Sequence, residues 1–163
     1  MENLTLQERG CLLIPNSLRA VFLKEKDRRG SFNISHSGNY VVIVVSDFNI
    51  GIDIQRMEKH NHLIAEKNFC ANECAYINEN DNYEIQRQRF HEIWTIKEAY
   101  LKNIGIGLRK PLNSFEIDLS HGNPRIIDNP GYAILQIKLD KLYIMAICSD
   151  IRDKEFTMEE VEI

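Results

Sequence analysis

The sequence has few of the features that mark membrane, secreted or zinc-binding proteins. No apolar run in its 163 residues approaches the roughly 18 that a membrane span needs, and the start Met1-Glu2-Asn3 does not resemble a signal peptide. We therefore expect a cytoplasmic protein without a membrane partner. The four cysteines lack zinc-ribbon spacing, which predicts free structural thiols rather than disulfides or a metal site.

The chain also lacks internal repeats, low-complexity tracts and Pro/Gly/Ser-rich linkers, which indicates one continuous domain. A hydrophobic content of 44% is enough to bury a core. The formal net charge of -4 argues against a general nucleic-acid binder, because such proteins usually carry a net basic face. Residues 19–30 are nevertheless basic, and they are interpreted either as a solvated loop or as an anion-binding edge. Residues 150–162 are acidic and are expected to form a solvated tail.

Three segments in the first third of the chain have the patterns of strands: the first and third alternate between apolar and polar residues, and the second is an apolar, β-branched run. They are residues 32–35, 40–45 and 50–55. The first two predict a hairpin with His36 at its tip, because residues 37–39 have turn-forming side chains. In the third, Asp53 and Gln55 share the face opposite three isoleucines. An aspartate is unfavourable in a strand, so Asp53 suggests a cation site.

Helical periodicity appears in the middle of the chain, and further strands follow it. The predicted helices are residues 60–69, 72–79 and 83–103, and the predicted strands are residues 114–119, 132–139 and 143–149. Glu73 stands where the carboxylate of a capping box would lie, so we expect it to be structural. The sum is an α+β fold, with helices inserted between antiparallel strands.

The third predicted helix carries an unusual set of charges. Lys97 falls near the middle of its apolar stripe, where an ammonium group must reach solvent or meet an anion. Glu98 and Lys102 lie one turn apart on the flank, and in isolation they would form an ordinary surface salt bridge. Together with Asp53 and Lys97, they supply the two carboxylates and two lysines of a Mg²⁺-assisted phosphoryl-type transfer.

Four short motifs carry more information in their order and spacing than any of them does alone. They are Phe32-Asn33-Ile34-Ser35-His36-Ser37-Gly38, then Gly51-Ile52-Asp53-Ile54, then Phe69 with Glu73, and last Trp94-Thr95-Ile96-Lys97-Glu98-Ala99-Tyr100-Leu101-Lys102 with Gly105-Ile106-Gly107-Leu108. This series resembles the 4′-phosphopantetheinyl transferases, in particular their larger, pseudo-dimeric type. The resemblance covers about residues 32–149 and implies the fold of that superfamily, with an antiparallel sheet and inserted helices.

The resemblance also implies an activity. Members of the family move the 4′-phosphopantetheine group from coenzyme A to a serine of an apo acyl or peptidyl carrier protein, with Mg²⁺, and release 3′,5′-ADP. By this likeness Asp53 and Glu98 bind the metal, with Gln55 as a further ligand, and Glu98 and Lys102 are catalytic. Many relatives have Glu at the position of Gln55, which predicts weaker metal binding here.

Four residues are implied to bind coenzyme A. They are Ser35 and His36 at the nucleotide end, Lys102 at the pyrophosphate, and Lys97 in a supporting role. A rival interpretation from the residues alone is a two-carboxylate metal hydrolase or nuclease, which would need only Asp53, Glu98 and a water molecule.

The resemblance also predicts a division of the chain. Residues 1–50 would be a partial first lobe with the Ser-His motif, and residues 51–163 a second lobe with the metal and catalytic motifs. Three interpretations of the short first lobe stay open: self-association that completes the site, a compact enzyme with weaker coenzyme A affinity, or a non-catalytic module that binds carrier proteins or coenzyme A.

Overall fold

The computed structural model describes residues 19–25, 30–59, 62–119, 122–150 and 156–162. In these ranges there are three α-helices: α1 His62–Asn68, α2 Ala71–Asn78 and α3 Tyr83–Asn103. The strands in the same ranges are β1 Arg19–Glu25, β2 Ser31–Ser37, β3 Tyr40–Ser46, β4 Ile50–Arg56, β5 Ile117–Asp118, β6 Arg125–Ile126, β7 Ala133–Lys138, β8 Tyr143–Ser149 and β9 Phe156–Glu162. The expected α+β class is confirmed. None of the described helices is long and apolar enough to cross a bilayer.

The strands form two main sheets and one short ribbon. The first sheet has the order β2-β3-β1-β9, in which β1 runs parallel to β3 and the other pairs are antiparallel. The second has the order β4-β8-β7 and is antiparallel throughout. Strands β5 and β6 pair separately. One parallel pair therefore interrupts the predicted antiparallel pattern.

Most elements agree with the periodicity of the sequence. The long helix occupies the predicted residues 83–103, and the predicted hairpin is formed by β2 and β3. Its turn, however, is made by Gly38 and Asn39, since Gly38 has a φ of 52° in the left-handed region. His36 therefore lies on β2, two residues before the turn, and its predicted place at the tip was wrong.

Two charged segments contain strands: residues 19–30, which were interpreted as a solvated loop or an anion-binding edge, and residues 150–162, which were interpreted as a solvated tail. Backbone pairing places β1 between β3 and β9, so residues 19–25 are not a solvated loop, and β9 is not a solvated tail. The four apolar residues at 20–23 favour a strand, and the surrounding charges obscured that signal. Residues 26–29 and 151–155 lie outside the described residues.

The predicted division at residue 50 stays a prediction, but one part of it needs correction. Strand β9 pairs with β1 along its whole length, from Phe156 opposite Glu25 to Glu162 opposite Arg19. The last strand therefore belongs to the sheet of the first predicted range, although it comes from the second.

The second sheet lies between the first sheet and helix α3. All seven residues of β8 are buried, as expected for a strand that is covered on both faces. One face packs against β3, and the other packs against the apolar side of α3. Gly51 on β4 permits the close approach of the helix, because a Cβ there would overlap the carbonyl oxygen of Ala99.

Candidate active site

Asp53 is the centre of a polar cluster where β2, β4 and α3 meet. Its side chain is only 5% exposed. The Oδ1 atom accepts hydrogen bonds from Ser35 Oγ at 2.9 Å and from Lys102 Nζ at 2.7 Å. A buried carboxylate needs such partners, because an isolated charge in the protein interior is costly. Residues far apart in the sequence thus converge on one carboxylate.

Lys102 lies in the last turn of α3 and reaches over to β4. Its ammonium group also donates to Ser35 Oγ at 3.0 Å and to the carbonyl oxygen of Ile52 at 2.9 Å. Because Lys102 pairs with Asp53 on another element, it is not half of a simple helix-surface salt bridge. The side chain remains 27% exposed, so it is accessible to a ligand.

Glu98 lies one helical turn before Lys102 and is half-buried. Burial raises the pKa of Glu98, and the negative charge of Asp53 raises it further, while Lys102 opposes both effects. The cluster therefore has two carboxylates and a single ammonium group. This excess of negative charge, made of hard oxygen ligands, suits a divalent cation such as Mg²⁺.

Gln55 follows Asp53 on the same face of β4. Its amide Nε2 donates to Asp53 Oδ2 at 3.0 Å, so in this structure it supports the carboxylate directly. No group of three or more His, Cys, Asp or Glu side chains in the described part of the chain is arranged to hold a metal. The donor set fits Mg²⁺ nevertheless, because this ion is usually held by one or two carboxylates together with substrate phosphates and water.

Lys97 does not fit its expected role in binding coenzyme A. The side chain is completely buried and forms an ion pair with Glu73, from Nζ to Oε1 at 2.8 Å. The same ammonium group donates to the carbonyl oxygens of Leu112 at 2.8 Å and Phe115 at 2.6 Å. These three acceptors use all three donors of the ammonium group. The assignment is corrected because of this burial: Lys97 has no exposed surface that could contact a ligand, and it supports the fold.

Glu73 has the structural role that the sequence predicts. Its Oε2 accepts from the backbone nitrogen of Cys70 at 2.7 Å, which completes the capping box of α2. Its Oε1 accepts from the nitrogen of Ile117 at 2.7 Å as well as from Lys97. Burial raises the pKa of Glu73 and lowers that of Lys97, and their mutual attraction acts in the opposite direction.

The remaining expected site residue, His36, is exposed on β2 next to Ser35. The turn that follows is held by the second sheet, because the nitrogen of Asn39 donates to the hydroxyl of Tyr143 at 3.1 Å. A groove of about 390 Å³ lies elsewhere, between α3 and β7, and it is lined by Glu92 and Gln136 rather than by the Asp53 cluster.

Two asparagines support the site and were missed in the sequence. Asn33 Oδ1 accepts from the nitrogen of Ile52 at 3.1 Å. Asn103, which is buried at the end of α3, donates to the carbonyl oxygens of Asn49 at 2.8 Å and Cys148 at 3.0 Å. Asn33 belongs to the first of the four motifs, whereas nothing in the local pattern distinguishes Asn103 from an ordinary helix end.

Comparison with known proteins decides the family. A sequence profile described as the 4′-phosphopantetheinyl transferase superfamily matches residues 49–148. The chain belongs to this superfamily. The matched range contains β4, α3 and β8, and with them Asp53, Glu98 and Lys102. The resemblance drawn from the four motifs is therefore confirmed.

Curated relatives carry the same description. The chain is 45% identical over 87 residues to the 4′-phosphopantetheinyl transferase gsp of Aneurinibacillus migulanus, covering 53% of this chain and 36% of that protein. It is 36% identical over 136 residues to the 4′-phosphopantetheinyl transferase psf-1 of Bacillus pumilus, covering 81% of this chain and 57% of that protein. The chain thus spans only part of the length of these relatives.

A solved structure supports the fold. The holo-[acyl-carrier-protein] synthase of Thermotoga maritima superimposes with a TM-score of 0.51 at 20% identity, covering 62% of this chain and 61% of that chain. At this identity the likeness concerns the architecture alone, and the chemistry has to be argued from the residues of this chain.

Proposed function

We propose that this chain transfers the 4′-phosphopantetheine group from coenzyme A to a serine of an apo acyl or peptidyl carrier protein. The observation that carries the proposal is the Asp53–Lys102 pair with Glu98 beside it, in a chain of the 4′-phosphopantetheinyl transferase superfamily. Two carboxylates, Asp53 and Glu98, lie near each other in a partly buried cluster, although burial and mutual repulsion are both unfavourable for their charges. Such an arrangement is typical of sites where charge is needed for binding or catalysis.

Asp53 and Glu98 would hold Mg²⁺. When bound, the cation supplies positive charge to the pyrophosphate of coenzyme A and to the phosphate that leaves. Oδ1 of Asp53 already accepts two hydrogen bonds, whereas Oδ2 accepts one from Gln55, so Oδ2 retains acceptor capacity. Gln55 supports this carboxylate and is proposed as a weaker, neutral member of the metal site.

Lys102 would neutralise the pyrophosphate. The reaction breaks the bond between the β-phosphorus and the bridging oxygen, and 3′,5′-ADP leaves with the negative charge. A cation that is fixed in place beforehand stabilises such charge without reorganisation. The hydrogen bonds of Lys102 to β4 and β2 provide that fixed position.

Glu98 is the proposed general base. A serine hydroxyl is a weak nucleophile near neutral pH, so the carrier serine has to lose its proton as it attacks the β-phosphorus. Because burial and Asp53 raise the pKa of Glu98, its carboxylate accepts a proton more readily than a solvated one. The same carboxylate is a proposed metal ligand, so it receives the proton either directly or through a water molecule.

His36 is the proposed contact for the nucleotide end of coenzyme A. Its side chain is exposed on β2, next to the residue that bonds Asp53. The nucleotide would then lie along the first sheet while the pyrophosphate reaches α3. The proposed partners are coenzyme A and an apo carrier protein, and self-association is a further proposal that sedimentation at several protein concentrations would test.

The mass of a carrier protein tests the proposal. The protein is incubated with coenzyme A, MgCl₂ and an apo carrier protein, and the intact carrier is weighed, with EDTA in a parallel sample. We expect the carrier to gain one phosphopantetheine group only when Mg²⁺ is present. Binding of coenzyme A without a gain in mass would indicate the non-catalytic module, and breakdown of coenzyme A without a carrier would indicate a hydrolase.

A further inference from the structure

The last turn of helix α3 carries Lys102, whose ammonium group has to be held in a fixed place if it is to stabilise charge. Helix ends fray more readily than helix interiors, because their last carbonyl groups have no partner within the helix. Lys102 lies one residue before the end of α3 at Asn103. The proposed site therefore depends on how this end of the helix is held.

Backbone hydrogen bonds close the helix just after this turn. The nitrogen of Ile104 donates to the carbonyl oxygen of Tyr100 at 3.0 Å. The nitrogen of Gly105 donates to the carbonyl oxygen of Lys102 at 3.2 Å, and the φ of 68° at Gly105 is the left-handed conformation that often follows a helix. These bonds are local to the helix end, so they do not fix its position over the sheet.

The side chain of Asn103 links the helix end to the second sheet. The residue is 7% exposed, and its amide nitrogen Nδ2 donates to two backbone carbonyl oxygens. One belongs to Asn49 at 2.8 Å, and the other belongs to Cys148 at 3.0 Å. Asn49 directly precedes β4, and Cys148 lies on β8. One amide group thus joins the end of α3 to two neighbouring strands.

The helix backbone comes very close to β4 at the same place. Gly51 lies opposite Cys148 in the pairing of β4 with β8. A Cβ at Gly51 would lie 2.5 Å from the backbone nitrogen of Asn103, and it would also overlap the carbonyl oxygen of Ala99. Such close backbone approach leaves little space between helix and strand. The Asn103 hydrogen bonds therefore act at a point where helix and sheet are already in direct contact.

The Lys102–Asp53 pair lies next to this junction. Nζ of Lys102 donates to the carbonyl oxygen of Ile52 at 2.9 Å and to Oδ1 of Asp53 at 2.7 Å. Asp53 follows Gly51 by two residues on β4, and Lys102 directly precedes Asn103 on α3. The position of the last helical turn therefore determines where the ammonium group reaches β4.

We propose that Asn103 is a positioning residue, which holds the last turn of α3 on β4 and β8 so that the Lys102 ammonium group stays on Asp53. It acts through Lys102 and needs no contact of its own with coenzyme A or the carrier protein. Its part in catalysis rests on the proposed function, whereas its part in the Lys102–Asp53 pair does not.

Two variants of Asn103 separate its hydrogen bonds from its volume. Asn103→Ala removes both, whereas Asn103→Leu keeps a branched side chain of similar size and removes only the donors. Urea unfolding establishes that each variant is folded at the assay temperature. Asn103→Ser, which keeps one hydroxyl donor, replaces either variant that is unfolded there.

Gln136 offers a matched control farther along the same helix. Its amide nitrogen Nε2 donates from β7 to the carbonyl oxygen of Glu92 at 2.9 Å and to Thr95 Oγ1 at 3.3 Å. One amide again joins a strand of the second sheet to α3, but β8 separates β7 from the strand that carries Asp53. Gln136→Ala therefore removes two hydrogen bonds of the same kind without changing the last turn.

A double-variant cycle tests the positioning without any activity. Lys102→Met is made in the wild type, in Asn103→Leu and in Gln136→Ala, and urea unfolding gives the stability that it removes from each. If Asn103 holds Lys102 on Asp53, this loss should fall by at least about half in Asn103→Leu. It should be unchanged in Gln136→Ala. Equal losses in all three backgrounds would overturn the proposal.

Kinetics test the catalytic consequence. At saturating Mg²⁺ and coenzyme A, kcat for transfer to an apo carrier protein should fall about tenfold in Asn103→Ala and Asn103→Leu, because a misplaced charge stabilises the transition state less well. In Gln136→Ala it should stay within about twofold of the wild type. A residue that only stabilises the fold would leave kcat unchanged, since every variant is folded in the assay.

The two measurements fail in different ways. Wild-type kcat in Asn103→Leu would contradict a part for Asn103 in the reaction, and an equal fall of kcat in Gln136→Ala would show that any loosening of α3 has the same effect. If the wild-type protein transfers nothing at all, the proposed function fails, and the double-variant cycle decides whether Asn103 positions Lys102.

Discussion

Helix α3 presents two lysines, five positions apart, to two different regions of the molecule. Lys97 lies in the region that joins α2, α3 and the segment before β5, where it pairs with Glu73 and has no exposed surface. Lys102 lies in the region between α3, β4 and β2, where it pairs with Asp53 and remains 27% exposed. Both donate to three acceptors, so the number of hydrogen bonds does not distinguish them.

The difference lies in the charge around each lysine and in its access to solvent. The pair of Lys97 and Glu73 has one positive and one negative charge. Glu73 also accepts two hydrogen bonds from backbone nitrogens. Asp53 and Lys102 have a second carboxylate, Glu98, beside them, which leaves the cluster negative. A buried ion pair with no net charge supports the fold, whereas a partly exposed cluster with a net negative charge can bind a cation and, through its lysine, a phosphate.

The largest expected effect comes from Asp53 and Glu98, the two carboxylates near Lys102. Asp53→Asn and Glu98→Gln keep the shape of each side chain and remove its charge. Each should lower the rate of transfer to an apo carrier protein by at least about a hundredfold, which is typical for the loss of a group that stabilises charge in a transition state. The assay is a time course of carrier mass at saturating Mg²⁺.

Urea unfolding provides the control for those two variants. Their unfolding midpoints should stay close to that of the wild type, so the loss is chemical rather than structural. Transfer at the wild-type rate by either variant would contradict the assignment of the site.

The next largest effect should come from the buried pair of Lys97 and Glu73, and it should be an effect on stability. Lys97→Met leaves Glu73 charged and buried without its partner, which costs about 3–5 kcal/mol. Lys102→Met should cost less, because that side chain is partly exposed and Asp53 keeps donors from Ser35 and Gln55. Urea unfolding with both midpoint and slope measures each loss.

A double variant checks that Glu73 and Lys97 act together. Glu73→Gln with Lys97→Met removes both charges, so it should cost clearly less than the sum of the two single changes. Strict additivity of the two losses, or a Lys97→Met protein as stable as the wild type, would show that the pair does not support the fold.

A smaller effect should appear in the pH dependence of stability, through His91 on the buried part of α3. Burial lowers the pKa of His91 from its usual 6.5, and the charge of Arg87 acts in the same direction, while the Arg87 carbonyl and Glu58 oppose. The unfolded chain therefore binds more protons, so stability falls as the pH decreases through about 6.5 and below.

The His91→Asn variant isolates this contribution. Between pH 7.5 and 5.5 the wild type should lose stability more steeply than the variant, with a difference of at most about 1.4 kcal/mol for each pH unit. Thermal unfolding at both pH values measures it. Parallel curves would show that His91 is not the titrating group.

The smallest expected effect concerns Gln55. Gln55→Glu adds a charged oxygen ligand on the face of β4 that carries Asp53, so the Mg²⁺ concentration for half-maximal transfer should fall a few-fold. A titration of transfer rate against MgCl₂ compares the two proteins. An equal or weaker metal requirement in the wild type would mean that Gln55 lies outside the metal site.

Local periodicity was enough to predict the elements that carry the site. Alternation predicted β2 and β4, an apolar β-branched run predicted β3, and the 3.6-residue period predicted all of α3. The same period showed that Lys97 needs an anion or solvent. It could not show that the anion is Glu73, because that contact depends on how α2 packs against α3.

The misses share a physical cause, which is that they depend on non-local pairing. Strand β1 pairs with β9 from the other end of the chain, and no local pattern records that partner. Ser35 belonged to a recognised motif, but the motif could not show that its hydroxyl accepts hydrogen bonds from the nitrogen of Ile54 on β4 and from Lys102 on α3. Motif likeness can thus identify a residue and still leave its contacts undetermined.

A crystal structure with coenzyme A and Mg²⁺ bound would test most directly whether, of the two lysines of α3, Lys102 binds the ligand and Lys97 supports the fold. The account predicts the metal on Asp53 and Glu98, the pyrophosphate beside Lys102, and the Lys97–Glu73 pair unchanged. A pyrophosphate that contacts Lys97, or that binds away from Asp53 and Lys102, would contradict it.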